Sequence, residues 1–279
     1  LVDDFVLCAG ASSAIFASAA AKMGLRVLLA SVVGDDLFGR YMIDALRESG
    51  VDTSYIRVDP TLKTGAGIHL SKGSDRAMLT YLGSIAAVGP DLIDPRWYQM
   101  ARHLHVASPF LLTLLRPTIP QMMRAARAEG MTVSLDTNWD PDNLWHLEGF
   151  WDHLDVFLPN ENELRAVSGE QDLDRALDVM KARVPVVVLK RGGEGATVVR
   201  GDERYDVPAL PATVADTTGA GDSFDGGFLA GWLRGEPLRR CLALGTACGS
   251  LTTRLIGGFN GQPTWEEAVA AVRAYDIDG

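Results

Sequence analysis

The stretch DTTGAGDSFDGGFLAG (residues 216–231) joins a glycine-rich turn to the start of an apolar repeat. Ala220, Phe224 and Phe228 recur every four residues, which predicts a helix that begins within the motif. Glycines at a helix start leave backbone N–H groups without acceptors at the positive end of the helix dipole, and such a site binds anions. Asp222 falls in the first turn of that helix.

A lone carboxylate at a helix start is usually a simple cap, but here it stands beside a predicted phosphate cradle. The combination suits phosphoryl transfer to an alcohol, because it offers both charge stabilisation and a base for the hydroxyl proton. The chain has no GxxxxGK[ST] pattern, so a P-loop is excluded.

The letters TGAG occur a second time, in KTGAGIHL (63–70). The residues that follow alternate between apolar and polar, which predicts a strand rather than a helix. No carboxylate lies nearby, and glycine in a strand permits a bulge or a close approach of neighbours. We therefore interpret this copy as structural.

Elsewhere the chain alternates short β-branched runs with amphipathic stretches. The strand-like runs are 26–33, 131–136, 155–159 and 185–190, and the helix-like stretches are 36–49, 117–129, 172–183 and 238–254. This alternation predicts an α/β fold, with a mainly parallel sheet that helices cover on both faces. Ligands of such folds bind at the carboxyl ends of the strands.

Residues 51–82 break the alternation, because they read as consecutive strands separated by turn residues. Together with residues 1–8 they predict a small antiparallel sheet beside a core of residues 9–50 and 83–279, serving as a lid or as a subunit contact. The chain opens on LVDDFVLCAG, a strand-like segment without an initial methionine. We therefore expect N-terminal sequence, including the first strand of the core, to be missing.

The composition of the 279 residues is that of a globular protein, with 47% hydrophobic and 22% charged residues. A net charge of −10 without any basic stripe argues against nucleic-acid binding. No apolar run is long enough to cross a bilayer, and no signal peptide is visible, so no membrane partner is expected. The three cysteines form no CxxC pair and are interpreted as reduced thiols of a cytoplasmic protein.

The motif at 216–231 closely resembles the C-terminal signature of the ribokinase-like (PfkB) carbohydrate kinases. Other segments resemble that family in the same order along the chain: GASSAIFASAAAKMG (10–24), VVGDDLFGR (32–40), PNENE (159–163) and LKRGGEG (189–195). The resemblance implies a Rossmann-like α/β domain with a small β lid, which binds ATP and Mg²⁺ and phosphorylates a small sugar.

The resemblance also implies roles for individual residues. Asp222 would be the base, and the backbone N–H groups of Gly219, Ala220 and Gly221 would form the anion hole. Asn160 and Glu163 would hold Mg²⁺, although the same pattern fits a helix cap. The residues expected to border ATP are Lys190, Gly192, Gly195, Ala247 and Gly257; those expected at the sugar are Gly10, Ala11, Ser12, Ser84, Asp136 and Asn138.

The chain departs from the family pattern at several positions. Ala11 replaces a usual glycine, Ile15 replaces an asparagine that binds substrate hydroxyls, and Asp225 stands where asparagine is common. The segment SLDTNWDPDNLW (134–145) resembles one that reads Asp-Pro-Asn-x-Arg in fructokinase-like and ketodeoxygluconate-kinase-like members, but it lacks the arginine. In members that use an acidic sugar, this arginine would help to hold the carboxylate, so its absence favours a neutral substrate.

Two alternatives stay open at this point. The acceptor could be a nucleoside such as adenosine, or the protein could be a non-catalytic sensor of sugars or nucleotides on the same fold. The resemblance further allows a K⁺ ion near the nucleotide loop and a homodimer formed through the β lid.

Overall fold

A central six-stranded sheet organises the chain, as described in a computed structural model for residues 5–72 and 75–275. Its strand order is β10-β9-β8-β7-β6-β5; the neighbours from β5 to β8 are parallel, and β9 and β10 are added antiparallel. These strands are β5 (His103–Ala107), β6 (Thr132–Asp136), β7 (Val156–Phe157), β8 (Val186–Lys190), β9 (Ala196–Arg200) and β10 (Glu203–Val207). The predicted α/β class is confirmed.

The helices cover both faces of this sheet. They are α1 (Ser12–Lys22), α2 (Leu37–Glu48), α3 (Trp97–Met100), α4 (Ile119–Ala128), α5 (Glu161–Ser168), α6 (Leu173–Lys181), α7 (Ala220–Arg234), α8 (Leu238–Thr252) and α9 (Trp265–Tyr275). Strand β8 shows why the predicted strands are apolar throughout. Val187 and Leu189 enter the core cluster on the side of α4 and α6, whereas Val186 and Val188 enter the cluster on the side of α7 and α8.

Two smaller sheets precede the main one. β1 (Ser31–Gly34) pairs in parallel with β2 (Ile56–Asp59), and β3 (Ala66–Lys72) pairs with β4 (Asp75–Tyr81) as an antiparallel hairpin, called here the lid hairpin. The prediction of one antiparallel sheet across 51–82 was therefore wrong for β2. Helix α2 carries the chain back between β1 and β2, and such a crossover makes the two strands parallel.

The N-terminal segment also differs from the prediction. Residues 5–8 are in no strand, and residues 1–4, which complete the predicted lid segment, lie outside the described residues. The division of the chain into a core and a lid stays a prediction.

Helices α1 and α7 pack unusually close together. A Cβ atom built on Gly226 of α7 would lie 2.8 Å from Cβ of Ala19 in α1, so only glycine fits at this crossing. The contact sets the first turn of α7 beside the first turn of α1.

Two other sequence-based points concern the helices. Cys241 and Cys248 are buried free thiols in α8, as core packing predicts. Within the described ranges, no helix is both long and apolar enough to span a membrane.

Candidate active site

The site lies where the sheet's parallel strands end. Asp136 is the last residue of β6 and Lys190 the last of β8, and Asn160 follows β7 and forms a parallel bridge with Lys190. Because the carboxyl ends of parallel strands share one edge, three residues that are distant in sequence come together there.

The start of α7 faces this edge and has the features of an anion site. Gly219 is the N-cap and adopts φ 73°, a left-handed conformation that favours glycine. The N–H of Ala220 makes a long 3.3 Å bond to the carbonyl of Thr217. Those of Gly219 and Gly221 have no acceptor among the described residues, so they remain available to a ligand.

The turn before α7 is shaped by Asp216. Its carboxylate accepts hydrogen bonds from the N–H and the hydroxyl of Thr218, at 3.0 and 2.8 Å, and from the N–H of Gly257, at 3.0 Å. The first aspartate of the motif therefore fixes the loop that presents the free N–H groups.

Asp222 lies in the first turn of α7 and is buried. Its carboxylate faces Ser12 at the start of α1 and Asn138 after β6, whose Nδ2 lies 3.4 Å from Asp222 Oδ1. Burial, followed by the nearby negative charge of Asp136, raises the pKa of Asp222 to about 6. A carboxyl group with that pKa is ionised at neutral pH and can still accept a proton readily.

Asn160 and Glu163 form a reciprocal capping box at the start of α5. The side chain of Asn160 accepts the N–H of Glu163 at 3.0 Å, and Glu163 Oε2 accepts the N–H of Asn160 at 2.9 Å. Burial, with Asp136 as the next contribution, raises the pKa of Glu163 to about 7. The capping role noted from the sequence is thus present.

The site nevertheless fits a divalent cation. Four buried carboxyl groups surround one ammonium group, that of Lys190: Asp136, Glu163, Asp222 and Asp225. Burial raises the pKa values of Glu163, Asp222 and Asp225, and a bound cation would favour the ionised forms of these carboxyl groups. In the described part of the chain, no three acidic, His or Cys side chains form a ready metal cluster.

The residues expected at the nucleotide fall into two groups. Gly192 and Gly195 form the turn between β8 and β9 with positive φ, and a Cβ on Gly195 would collide with the carbonyl of Val207. Gly257 also has positive φ and bonds to Asp216, near the start of α7. Ala247, in contrast, is fully buried within the core cluster of α7 and α8 and presents no surface to a ligand.

The residues expected at the sugar are also divided. Gly10, Ala11 and Ser12 lead into α1, and Ala11 has φ 66°, which explains why a glycine would suit this position. Ser84 is buried in the short 3₁₀ helix after the lid hairpin.

The carboxylate of Asp136 is bonded within the protein. It accepts the N–H of Asn138 at 3.0 Å and pairs with Lys190 at 2.7 Å. Asn138 therefore stands between Asp136 and Asp222.

Ile15, at the position of the family's substrate-binding asparagine, packs against the glycines beside the anion site. It is buried, and Cβ atoms built on Gly219 and Gly258 would lie within 3 Å of its side chain. The isoleucine therefore contacts the anion loop at Gly219, and its effect on substrate choice stays a prediction.

Sequence reasoning missed the partners of Lys190 and the role of Asp140. The ammonium of Lys190 lies between Asp136 and Asp225, and its contact with ATP stays a prediction. Asp140 accepts the N–H groups of Asp142, Leu144 and Trp145 at 2.7–3.0 Å and builds the loop after Asn138. The turn-forming letters DPDN (140–143) were a usable signal for Asp140, whereas nothing local marks the partners of Lys190.

Comparison with known proteins identifies the family. The model of the pfkB family of carbohydrate kinases matches residues 7–265. The chain is 32% identical to 2-dehydro-3-deoxygluconokinase of Thermoproteus tenax, over 94% of this chain and 85% of that protein. It is 33% identical to ATP-dependent ribose-1-phosphate kinase of Halopiger xanaduensis, over 96% and 88%.

A solved structure shares the fold. The putative Ribokinase II of E. coli, in complex with ATP and Mg²⁺, superposes with a TM-score of 0.89 at 24% identity, covering 98% of this chain and 93% of that one. A family match across the core, the motif at the start of α7 and relatives named as sugar kinases lead to one conclusion: the chain belongs to the pfkB family of carbohydrate kinases.

Proposed function

We propose that this carbohydrate kinase transfers the γ-phosphoryl group of ATP to a hydroxyl of a small neutral sugar, with Asp222 as the base. The observation that carries the proposal is the position of Asp222. A buried carboxylate with a pKa near 6 stands in the first turn of α7, next to two N–H groups that have no acceptor among the described residues. A base and an anion site thus share one helix start.

In the proposed reaction the sugar hydroxyl gives its proton to an oxygen of Asp222. The hydroxyl oxygen attacks the γ-phosphorus, the bond from that phosphorus to the β,γ-bridging oxygen breaks, and ADP leaves. The N–H groups of Gly219, Ala220 and Gly221 stabilise the transferring oxygens, and Asn138 and Ser12 hold the carboxylate of Asp222 in place. Asn160 and Glu163 would hold Mg²⁺, which neutralises phosphate charge.

A neutral acceptor is favoured by the charge of the site. An acidic sugar would have to approach several carboxyl groups, and the ammonium of Lys190 already pairs with two of them. A K⁺ ion could bind near Gly257, so activity is measured with and without K⁺.

The test compares wild type with Asp222→Asn on a panel of acceptors: ribose, fructose, 2-dehydro-3-deoxygluconate, ribose 1-phosphate and adenosine. ADP release and the mass of the product are measured with ATP and Mg²⁺, with and without K⁺. We expect wild type to phosphorylate a neutral sugar and Asp222→Asn to lose turnover by about 10³-fold. Its melting temperature should not fall, because the change removes a buried charge.

Near-normal turnover by Asp222→Asn would show that another group is the base. If wild type turns over none of the acceptors but is still stabilised thermally by a sugar or by ATP, the non-catalytic sensor is the better assignment. Phosphorylation of adenosine or of an acidic sugar in preference to neutral sugars would overturn the proposed acceptor class and leave the role of Asp222 intact.

A further inference from the structure

Lys190 joins two elements of the site that are far apart in sequence. Its Nζ lies 2.7 Å from Oδ2 of Asp136, at the end of β6, and 3.2 Å from Oδ2 of Asp225, in α7. The side chains are exposed to 11%, 2% and 1%, so water cannot replace these contacts. Burial alone would lower the pKa of Lys190, but the two carboxylates raise it above its usual value and keep it charged.

An ion group of this kind is a poor source of stability. The desolvation of a buried ammonium and two carboxylates costs about as much as their attraction returns. We therefore interpret Lys190 as a residue that positions its neighbours in the site rather than one that stabilises the fold. Its Nζ, Cδ and Cε atoms lie 3.6–3.9 Å from the point where a Cβ of Gly221 would stand, directly against the start of α7.

Both carboxylates that pair with Lys190 are connected to Asp222, one through Asn138 and the other through helix α7. Asp136 accepts the N–H of Asn138 at 3.0 Å and its Nδ2 at 3.3 Å, and the same Nδ2 lies 3.4 Å from Asp222 Oδ1. Asn138 has φ 48°, a left-handed conformation that needs such support. Asp225 lies three residues after Asp222, on the same side of α7.

We propose that Lys190 is a positioning residue: by joining Asp136 to Asp225 it holds Asn138 and the first turn of α7 in the arrangement that places Asp222 against the acceptor hydroxyl. The inference rests on the proposed function, because it takes Asp222 as the base. It gives Lys190 a role different from contact with ATP.

The experiment measures kcat, KM for ATP and melting temperature for Lys190→Met, Asp225→Asn and the double variant, in the full chain with the acceptor found above. Lys190→Met should lower kcat by about 100-fold, the effect of a misplaced reactive group, with much less change in KM for ATP. It should also lower the melting temperature, since two buried carboxylates lose their partner. Lys181→Met is the matched control, because Lys181 pairs with Asp178 at the same 2.7 Å but on the surface.

The double variant separates placement from folding. Replacing the carboxyl group of Asp225 by an amide together with Lys190→Met should restore much of the melting temperature while kcat stays low. The double variant also keeps the test usable if Lys190→Met alone fails to fold. If kcat recovers in step with the melting temperature, Lys190 acts only on stability and the inference is wrong. A large rise in KM for ATP with kcat retained would likewise overturn it and make Lys190 a nucleotide ligand.

A double-mutant cycle on stability tests the same connection without any turnover. Lys190→Met and Asn138→Gly should be non-additive in their effects on unfolding in denaturant, because they act on one chain of contacts. Additive effects would contradict the link. If no acceptor is ever turned over but the non-additivity is found, the proposed function fails while the connection from Lys190 to Asn138 stands.

Discussion

Asp222 combines two properties that oppose each other in an isolated side chain. A base has to be ionised to accept a proton, yet burial and the charge of Asp136 both disfavour its ionised form. The hydrogen bond from Asn138 and the charge of Lys190 act in the opposite direction and limit the rise of its pKa to about 6. The residue therefore stays ionised at neutral pH while being a stronger base than a solvated aspartate.

This environment predicts the pH dependence of the reaction. Only ionised Asp222 is active, so raising its pKa moves the acidic limit of activity to higher pH. We expect kcat/KM for the acceptor, measured at saturating ATP from pH 4.5 to 8.5, to fall about tenfold per unit below about pH 6. Activity that stays constant down to pH 5 would contradict the assignment of Asp222.

The control for titration of ATP itself is Asn138→Gly, which suits the positive φ at that position and removes the side-chain donor. Losing a hydrogen bond to the ionised form should move the acidic limit to still higher pH. A limit set by ATP would not move.

The residues of the site differ in how far the sequence could predict them. Asp222, Gly219 and the capping pair Asn160 and Glu163 depend on neighbours within a few positions, so local patterns were sufficient. The partners of Lys190 lie 54 and 35 positions away and meet it only because the strands end at one edge. No periodicity records such contacts.

At the scale of elements, the site depends on two helices that begin side by side. α1 brings Ser12 and α7 brings Asp222, and the close crossing at Gly226 sets their separation. The sequence predicted the start of α7 from its apolar repeat. It could not predict that glycines inside α7 are contact points for α1, because α1 lies about 200 positions earlier in the chain.

The crossing predicts the effect of Gly226→Ala. The added Cβ would lie 2.8 Å from Cβ of Ala19 and 2.9 Å from the N atom of Ala20, so the helices have to separate. We expect a loss of about 1–3 kcal/mol in the free energy of unfolding, measured with denaturant, and a lower kcat because Ser12 moves from Asp222. Gly67→Ala is the control, since its Cβ meets only ordinary contacts. A Gly226→Ala protein as stable and active as wild type would show that the crossing does not position the base.

At the scale of the whole molecule, the sequence predicted the main sheet with helices on both faces but not the separate pairing of β1 with β2. Near-continuous apolar strands require helices on both faces, and a core cluster lies on each face of the main sheet. β1 pairs with β2 because the chain returns through α2 to lie beside β1. The composition of these segments does not determine that pairing.

The lid hairpin exposes apolar side chains on one of its faces. Ile68 and Leu70 of β3 and Leu79 and Tyr81 of β4 share one face of the hairpin, and each is about half exposed. A two-stranded hairpin is marginally stable alone, and an apolar face of this kind is typical of a contact surface. A second copy of the chain can cover it by two-fold symmetry, since both copies present the same face. We therefore expect a homodimer formed through the lid hairpin.

The variant Ile68→Lys/Leu79→Glu tests this expectation. Ile68 and Leu79 stand directly opposite each other, so the new charges attract and the hairpin is kept, while its apolar face is removed. Sedimentation velocity should show a dimer for wild type and a monomer for the variant. The control His69→Lys/Thr80→Glu changes the other face and should stay dimeric. A monomeric wild type would contradict the dimer. The apolar face of the lid hairpin would then serve to close over the acceptor, and a higher KM for the acceptor in Ile68→Lys/Leu79→Glu would support that role.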